Sequence, residues 1–125
     1  MRIVLSYQSG EPIYEQIKDQ IKALILSGEL AENEPLTSIR QLAKDLKVSV
    51  MTTTRAYGDL ELEGFVHTIP KKGVYVKKVN HADVREQYIA ETEAALLAAM
   101  QHGRVAGLTV KDLHQMLDSL EESIE

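Results

Sequence analysis

A chain of 125 residues is long enough for one ordinary hydrophobic core, and 44% apolar with 26% charged residues is the balance of a folded globular chain rather than a disordered one. The absence of cysteine excludes disulfides, thiolate metal sites and a cysteine nucleophile together, and no apolar run approaches the roughly 20 residues that span a bilayer. The formal net charge of −5 argues against a nucleic-acid partner only until it is divided: residues 1–78 hold eleven Lys/Arg against ten Asp/Glu, residues 79–125 hold three against nine, and the acidity belongs to the tail.

Met1 to Ser6 is too short an apolar run for a secretory signal and meets Tyr7-Gln8 before any small-residue cleavage site, so a cytoplasmic protein with no membrane partner is expected. Gln8-Ser9-Gly10 predicts a turn that closes a short extended lead-in. Pro12 suits the first position of a helix, and Ile13, Ile17, Ile21, Leu24 and Ile25 keep helical spacing until Ser27-Gly28. Residues 29–36 read as a loop, because Pro35 pushes Glu34 toward extended geometry. Ser38 is a good N-cap with Gln41 three residues on to complete a capping box, and Ile39, Leu42, Ala43 and Leu46 form the stripe of a short helix ending near Lys47. Ser49 caps the next helix, whose Thr53, Ala56, Tyr57 and Leu60 run down one face to Gly64, a residue suited to a left-handed C′ position. After Gly64 the period changes from about 3.6 to 2, with Phe65–Ile69 outward, Pro70-Lys71-Lys72-Gly73 as the turn and Val74–Lys78 returning. Helices followed by a basic hairpin predict a winged helix-turn-helix. Lys71, Lys72, Lys77 and Lys78 crowd that hairpin with no acid between Gly64 and Asn80, a local patch that attracts a phosphate backbone.

The charge balance reverses near Asn80, which divides the chain into a winged helix-turn-helix domain, residues 1–79, and a tail, residues 80–125. Asp83 to His102 reads as a helix with Val84, Tyr88, Ile89, Leu96 and Met100 on a stripe, and Gly103 to Gly107 as its break. Thr109 with Asp112 resembles a capping box, after which Val110, Leu113, Met116, Leu117, Leu120 and Ile124 form a second stripe. Such a helical hairpin cannot enclose a core of its own, so a second copy is expected to cover it in a two-fold four-helix arrangement that sets the spacing of DNA half-sites. Tyr88, Leu96, Met100, Leu113, Met116, Leu117 and Leu120 are the expected dimerisation residues. The fold class is thus mainly α with a small β-hairpin, a winged helix-turn-helix followed by a two-helix dimerisation hairpin.

Pro12-Ile13-Tyr14-Glu15-Gln16-Ile17 followed by Leu36-Thr37-Ser38-Ile39-Arg40-Gln41-Leu42-Ala43 resembles the GntR family of bacterial transcription regulators, whose motif runs Leu-Pro-Ser-x-Arg-x-Leu-Ala. Val48-Ser49, Arg55-Ala56-Tyr57, Leu60-Glu61-Leu62-Glu63-Gly64-Phe65-Val66 and Lys72-Gly73-Val74-Tyr75-Val76 agree in order, and the short tail resembles the YtrA-type subfamily. Thr37 stands where the family usually has proline, Asn33-Glu34 replaces a Gly-Asp or Gly-Glu, and Val50-Met51 occupies positions where relatives have proline and asparagine or an arginine. The resemblance implies a DNA-binding regulator of transcription, in which Arg40 makes a charge-assisted contact to phosphate or guanine.

A helix N-terminus turns unpaired amides and a partial positive charge outward, so Ser49, Val50, Met51 and Thr52 are expected to approach the duplex. Ser49 and Thr52 suit phosphate or base edges, Val50 and Met51 suit a thymine methyl, Thr54 and Gly58 continue the face, and Lys71, Lys72 and Gly73 flank the minor groove. Tyr14 and Lys44 are weaker phosphate ligands. Blander roles stand beside these: Arg40 as a solvated surface residue, Lys71 and Lys72 as edge-strand protection, Met51 as core filler. The four histidines lack metal-ligand spacing and no phosphate loop exists, so neither a cofactor, nor a metal, nor an enzyme is expected. The partners expected are double-stranded operator DNA and a second copy. A small-molecule effector between the tail helices has only a lining of Tyr88, Met100 and Met116 to recommend it, and the competing function is a protein-docking winged helix with negligible DNA affinity.

Overall fold

Seven elements follow one another in the computed structural model: α1 (Ile13–Ser27), α2 (Ile39–Leu46), α3 (Val50–Leu62), β1 (Val66–Ile69), β2 (Gly73–Val76), α4 (His81–Ala106) and α5 (Val110–Ile124). It describes residues 1–124, without the side chains of Ser123 and Ile124, so the expected place of Ile124 in the tail stripe lies outside the described residues. They form two compact units, Met1–Asn80 and His81–Glu125.

The first unit is built on α1 and α3, which pack together, with α2 laid on α3. Ile17, Ile21 and Ile25 recur every fourth residue and are sealed against the buried face of α3, Thr53, Ala56, Tyr57 and Leu60. Full burial of each isoleucine contributes about 1.5–3 kcal/mol. The lead-in before α1 pairs with no strand. Two glutamines of α1 hold it instead: Gln20 brackets Val4 through bonds of 2.9 Å and 2.7 Å, and Gln16 accepts from Ser6 N–H and donates to Ser6 O, both at 2.8 Å.

Ser38 caps α2 as expected, its Oγ accepting from Gln41 N–H at 3.2 Å, but the reciprocal half of the capping box is not made. The Gln41 amide donates forward to Asp45 Oδ1 at 2.7 Å, one helical turn away. Lys47 ends α2 in the left-handed region at φ +57°, where Val48 N–H reaches back to Ala43 O at 3.0 Å. That tight reversal leaves only Lys47-Val48 before the Ser49 cap. At the far end of α3, Gly64 takes φ +86° and hands the chain to the hairpin.

The hairpin pairs Val66 with Val76, His67 with Tyr75, Thr68 with Val74 and Ile69 with Gly73. Gly73, expected in the turn, is therefore already in the ladder. The reversal is a tighter turn with Pro70 and Lys71 at its centre, closed by Lys72 N–H to Ile69 O at 3.0 Å. The residues expected as plain loop also join this sheet: Pro35 bridges Tyr75, and the flanking bonds run from Leu36 N–H to Val74 O at 2.8 Å and from Val76 N–H to Glu34 O at 2.9 Å. Neighbours supply the donors, so the missing N–H of proline costs nothing there. The outer edge of β1 is met by Glu61, whose carboxylate accepts from Thr68 N–H at 2.6 Å.

Lys22, buried in α1, pairs with Glu63 at the end of α3 and lies 5.3 Å from the centre of the Phe65 ring, while Lys18 reaches the other Glu63 oxygen at 3.4 Å. Burial alone would raise the Glu63 carboxyl, and the two ammonium groups overcome it and hold the acid below its ordinary value.

In the second unit α4 extends from His81 to Ala106, longer than the expected 83–102, because Gly103 does not break it. It is the buried residue of α4, and an added Cβ would lie 3.5 Å from Leu113 Cδ2 and 3.6 Å from Leu108 Cβ. The helix ends instead at Gly107, φ +78°. The α5 capping box closes on both sides, with Thr109 N–H donating to Asp112 Oδ2 at 2.8 Å and Asp112 N–H to Thr109 Oγ1 at 3.2 Å. The first of these bonds holds the Asp112 carboxyl below its ordinary value.

Candidate nucleic-acid interface

The start of α2 is fastened to the wing by backbone bonds. Leu36 and Glu34 pair with β2, and the Tyr57 hydroxyl donates to Thr37 O at 2.6 Å, so the two residues before the Ser38 cap are held from both sides. Burial pushes the Tyr57 phenol well above its ordinary value, which keeps it a proton donor. Thr37, which replaces the usual proline of the motif, is therefore fixed through its carbonyl rather than by a ring.

This anchoring leaves a cleft of about 440 Å³ between the first turn of α2 and the hairpin tip. Ser38 and Arg40 line one side, and Lys71, Lys72 and Gly73 the other. No carboxylate lines it. Three exposed cations around an acid-free concavity raise the local potential for anions, although the whole chain carries −5. Lys71 occupies the third position of the turn at φ +67°, a left-handed conformation that costs a non-glycine residue about 1–2 kcal/mol. A glycine would relieve that cost and lose the charge.

The first turn of α3 forms another surface, and its residues do not line the cleft. Ser49 Oγ accepts from Thr52 N–H at 3.1 Å, and its hydroxyl is hydrogen-bonded to that of Thr52 at 2.7 Å, with either able to donate. Thr54 donates its hydroxyl to Val50 O at 2.8 Å, which leaves that oxygen only acceptor capacity toward a ligand. Val50 is 42% exposed and Met51 82%, so Met51 is not core filler. A methionine so exposed beside a capped N-terminus offers apolar contact alone. The expected residues thus fall into two groups: Arg40, Lys71, Lys72 and Gly73 around the cleft, and Ser49, Val50, Met51, Thr52 and Thr54 on α3.

The helical spacing places Tyr57 on the packed face of α3 but does not announce its hydrogen bond to Thr37. A tyrosine rather than phenylalanine at that buried position is the signal, since a buried phenol needs an acceptor.

In the second unit an apolar groove of about 280 Å³ runs between α4 and α5. Leu96, Met100, Leu113, Met116, Leu117 and Leu120 of the expected dimerisation set line it, with Ala99, Val110 and His114; Tyr88 does not. The effector lining expected from Tyr88, Met100 and Met116 is therefore not assembled as a set. No helix among the described residues is long and apolar enough to cross a membrane.

Over 123 residues the chain is 28% identical to the HTH-type transcriptional repressor YtrA of Bacillus subtilis, covering 98% of this chain and 95% of that protein. It is similar to the solved structure of YtrA from Sulfolobus acidocaldarius, a GntR-family transcription factor, with 38% identity, a TM-score of 0.60, and coverage of 74% of this chain and 97% of the other. It is also similar to the DNA-binding domain of AraR in complex with operator ORR3, with 25% identity, a TM-score of 0.52, and coverage of 61% and 92%. Residues 13–76, from the first helix to the last wing strand, match the family described as bacterial regulatory proteins, gntR family. The α2 turn that frames the cleft and the hairpin that closes it are parts of that family's winged helix-turn-helix, and the protein belongs to the GntR family of transcription regulators.

Proposed function

We propose that the protein is a homodimeric operator-binding repressor, which blocks transcription of neighbouring genes by occupying their promoter DNA. The observation that carries this reading is the convergence of Arg40 with Lys71 and Lys72 around one acid-free cleft. A guanidinium there pairs with phosphate oxygens or with the O6 and N7 of a guanine, while the wing lysines neutralise adjacent phosphates from the minor-groove side. The start of α3 meets the major groove, where Val50 and Met51 favour a thymine methyl and the Thr54 oxygen suits an exocyclic amino group. A protein-docking winged helix has no use for this gathering of cations. The name of the B. subtilis relative and the operator complex of the AraR domain support the direction of the reading.

The dimer is inferred from the α4–α5 groove, whose exposed leucines and methionines match the chemistry of a second copy of themselves. The test is a mobility shift with DNA from upstream of the protein's own gene. Arg40→Ala is expected to weaken the shift about 10–100-fold while the dimer persists, with binding that falls steeply as salt rises. An unchanged shift removes Arg40 from the interface, and a native chain that shifts no DNA overturns the proposal.

A further inference from the structure

We propose that Arg55 is a further DNA contact of this protein, a phosphate clamp held in place by the ring of Tyr14; the inference rests on the DNA-binding reading above. α3 buries Thr53, Ala56, Tyr57 and Leu60, and position 55 lies about 40° around the axis from the highly exposed Met51. Arg55 is exposed as well, on the side of the helix that meets the groove in that reading.

Its guanidinium nevertheless has an aromatic partner. Cζ lies 3.7 Å from the centroid of the Tyr14 ring, which the first turn of α1 supplies. Stacking covers one face of the guanidinium plane and leaves the N–H donors around its rim free to form a fork. No carboxylate pairs with Arg55 among the described residues; the ion pairs of this unit join Lys18 and Lys22 to Glu63. In a chain with 19 acids and 14 Lys/Arg, an arginine laid on an aromatic ring without an acid is arranged for an anion from outside. The two free oxygens of a phosphodiester match the fork, and the stacked side chain gives up less freedom on binding than a loose one. The Tyr14 hydroxyl faces its own neighbour, Glu15 Oε1, at 3.4 Å. Tyr14 is therefore a positioning residue that acts through Arg55, not a phosphate ligand itself. The two side chains come from helices far apart in the sequence, and no local pattern announces the pair.

The experiment measures binding of the full chain to a fluorescent duplex from upstream of its own gene, and to a scrambled duplex of equal length, between about 50 and 200 mM salt. Arg55→Ala is expected to weaken both about tenfold and to reduce the slope of log affinity against log salt by about 0.9 per protomer bound. Tyr14→Phe, which keeps the ring face, should stay within about twofold of the native chain, whereas Tyr14→Leu should lose about threefold or more with the slope kept. A purely structural role would lower the melting temperature and leave the salt slope alone. If Arg55→Ala does not fold, Arg55→Gln carries the same comparison. Native affinity and slope in the folded variant overturn the assignment and leave the DNA-binding reading standing; a native chain that binds neither duplex overturns both.

Discussion

In the first unit Ile17, Ile21, Ile25, Leu60, Val66 and Val76 are sealed from solvent, whereas in the second the buried residue of α4 is a glycine and Leu96, Leu97, Met100, Met116, Leu117 and Leu120 stand open. Both units are helical and both carry regular apolar stripes. The difference is what the stripes face. Three helices and a hairpin bury one another, while two helices have a single face each to share and leave the remainder uncovered. The first unit therefore buries its own core, whereas in the proposed dimer a second copy covers the apolar face of the second. The largest effect that would break this contrast is a charge in the groove: Leu117→Asp should weaken self-association at least about 100-fold, read by light scattering against concentration, and leave the melting of the first unit in place. A variant that keeps its native mass at low concentration would place the contact elsewhere.

The contrast is sharpened in the opposite direction by Tyr57→Phe, which should cost stability and leave association alone. The lost bond to Thr37 O leaves a carbonyl without its donor, and about 1 kcal/mol is expected, a fall of roughly 4–8 °C in the melting temperature of the first unit. Because that bond also steadies the approach to Arg40, DNA affinity should drop a few-fold. An unaltered melting curve would mean that the backbone pairing of Leu36 with Val74 holds the segment by itself.

The same two regions explain how far the residues could be read without coordinates. Elements set by local periodicity and caps are legible in place: α1 from the isoleucines after Pro12, α2 and α3 from Ser38 and Ser49, and the hairpin from the change of period after Gly64, although its strands are shorter than expected and Gly73 belongs to β2 rather than to the turn. What escaped depends on contacts distant in sequence. Pro35 gives no local sign that it will lie against Tyr75, and Gln41 serves Asp45 as readily as its own cap. Gly103 reads as a helix breaker until Leu108 and Leu113 are seen folded over it. Motif position marked Arg40 and the wing lysines, but only the pairing of the 33–36 segment with β2 gathers them around one cleft.

A self-sufficient core can still be improved, and Thr53 is where. Its hydroxyl is fully buried on α3 and has no hydrogen-bond partner among the described residues. Valine has the same branched shape without the polar atom, so Thr53→Val should add about 1 kcal/mol and raise the melting temperature by roughly 4–8 °C. Operator affinity should not change, since the side chain points away from any ligand. A destabilised variant would mean that the hydroxyl finds a partner in solution.

The smallest expected effect compares two helical glycines. At Gly103 an added Cβ would meet Leu108 and Leu113 of the same unit at ordinary van der Waals distance. At Gly58 an added Cβ would meet nothing within 4 Å, yet glycine within a helix costs about 0.5–1 kcal/mol relative to alanine. Nothing inside the first unit repays that cost. Gly58→Ala should therefore raise the melting temperature by a few degrees. If α3 lies against the duplex there, the same methyl should weaken operator binding about three- to tenfold, so that stability and affinity move in opposite directions. Native affinity in the stabilised variant would put position 58 outside the interface and confine the contact to the first turns of α3.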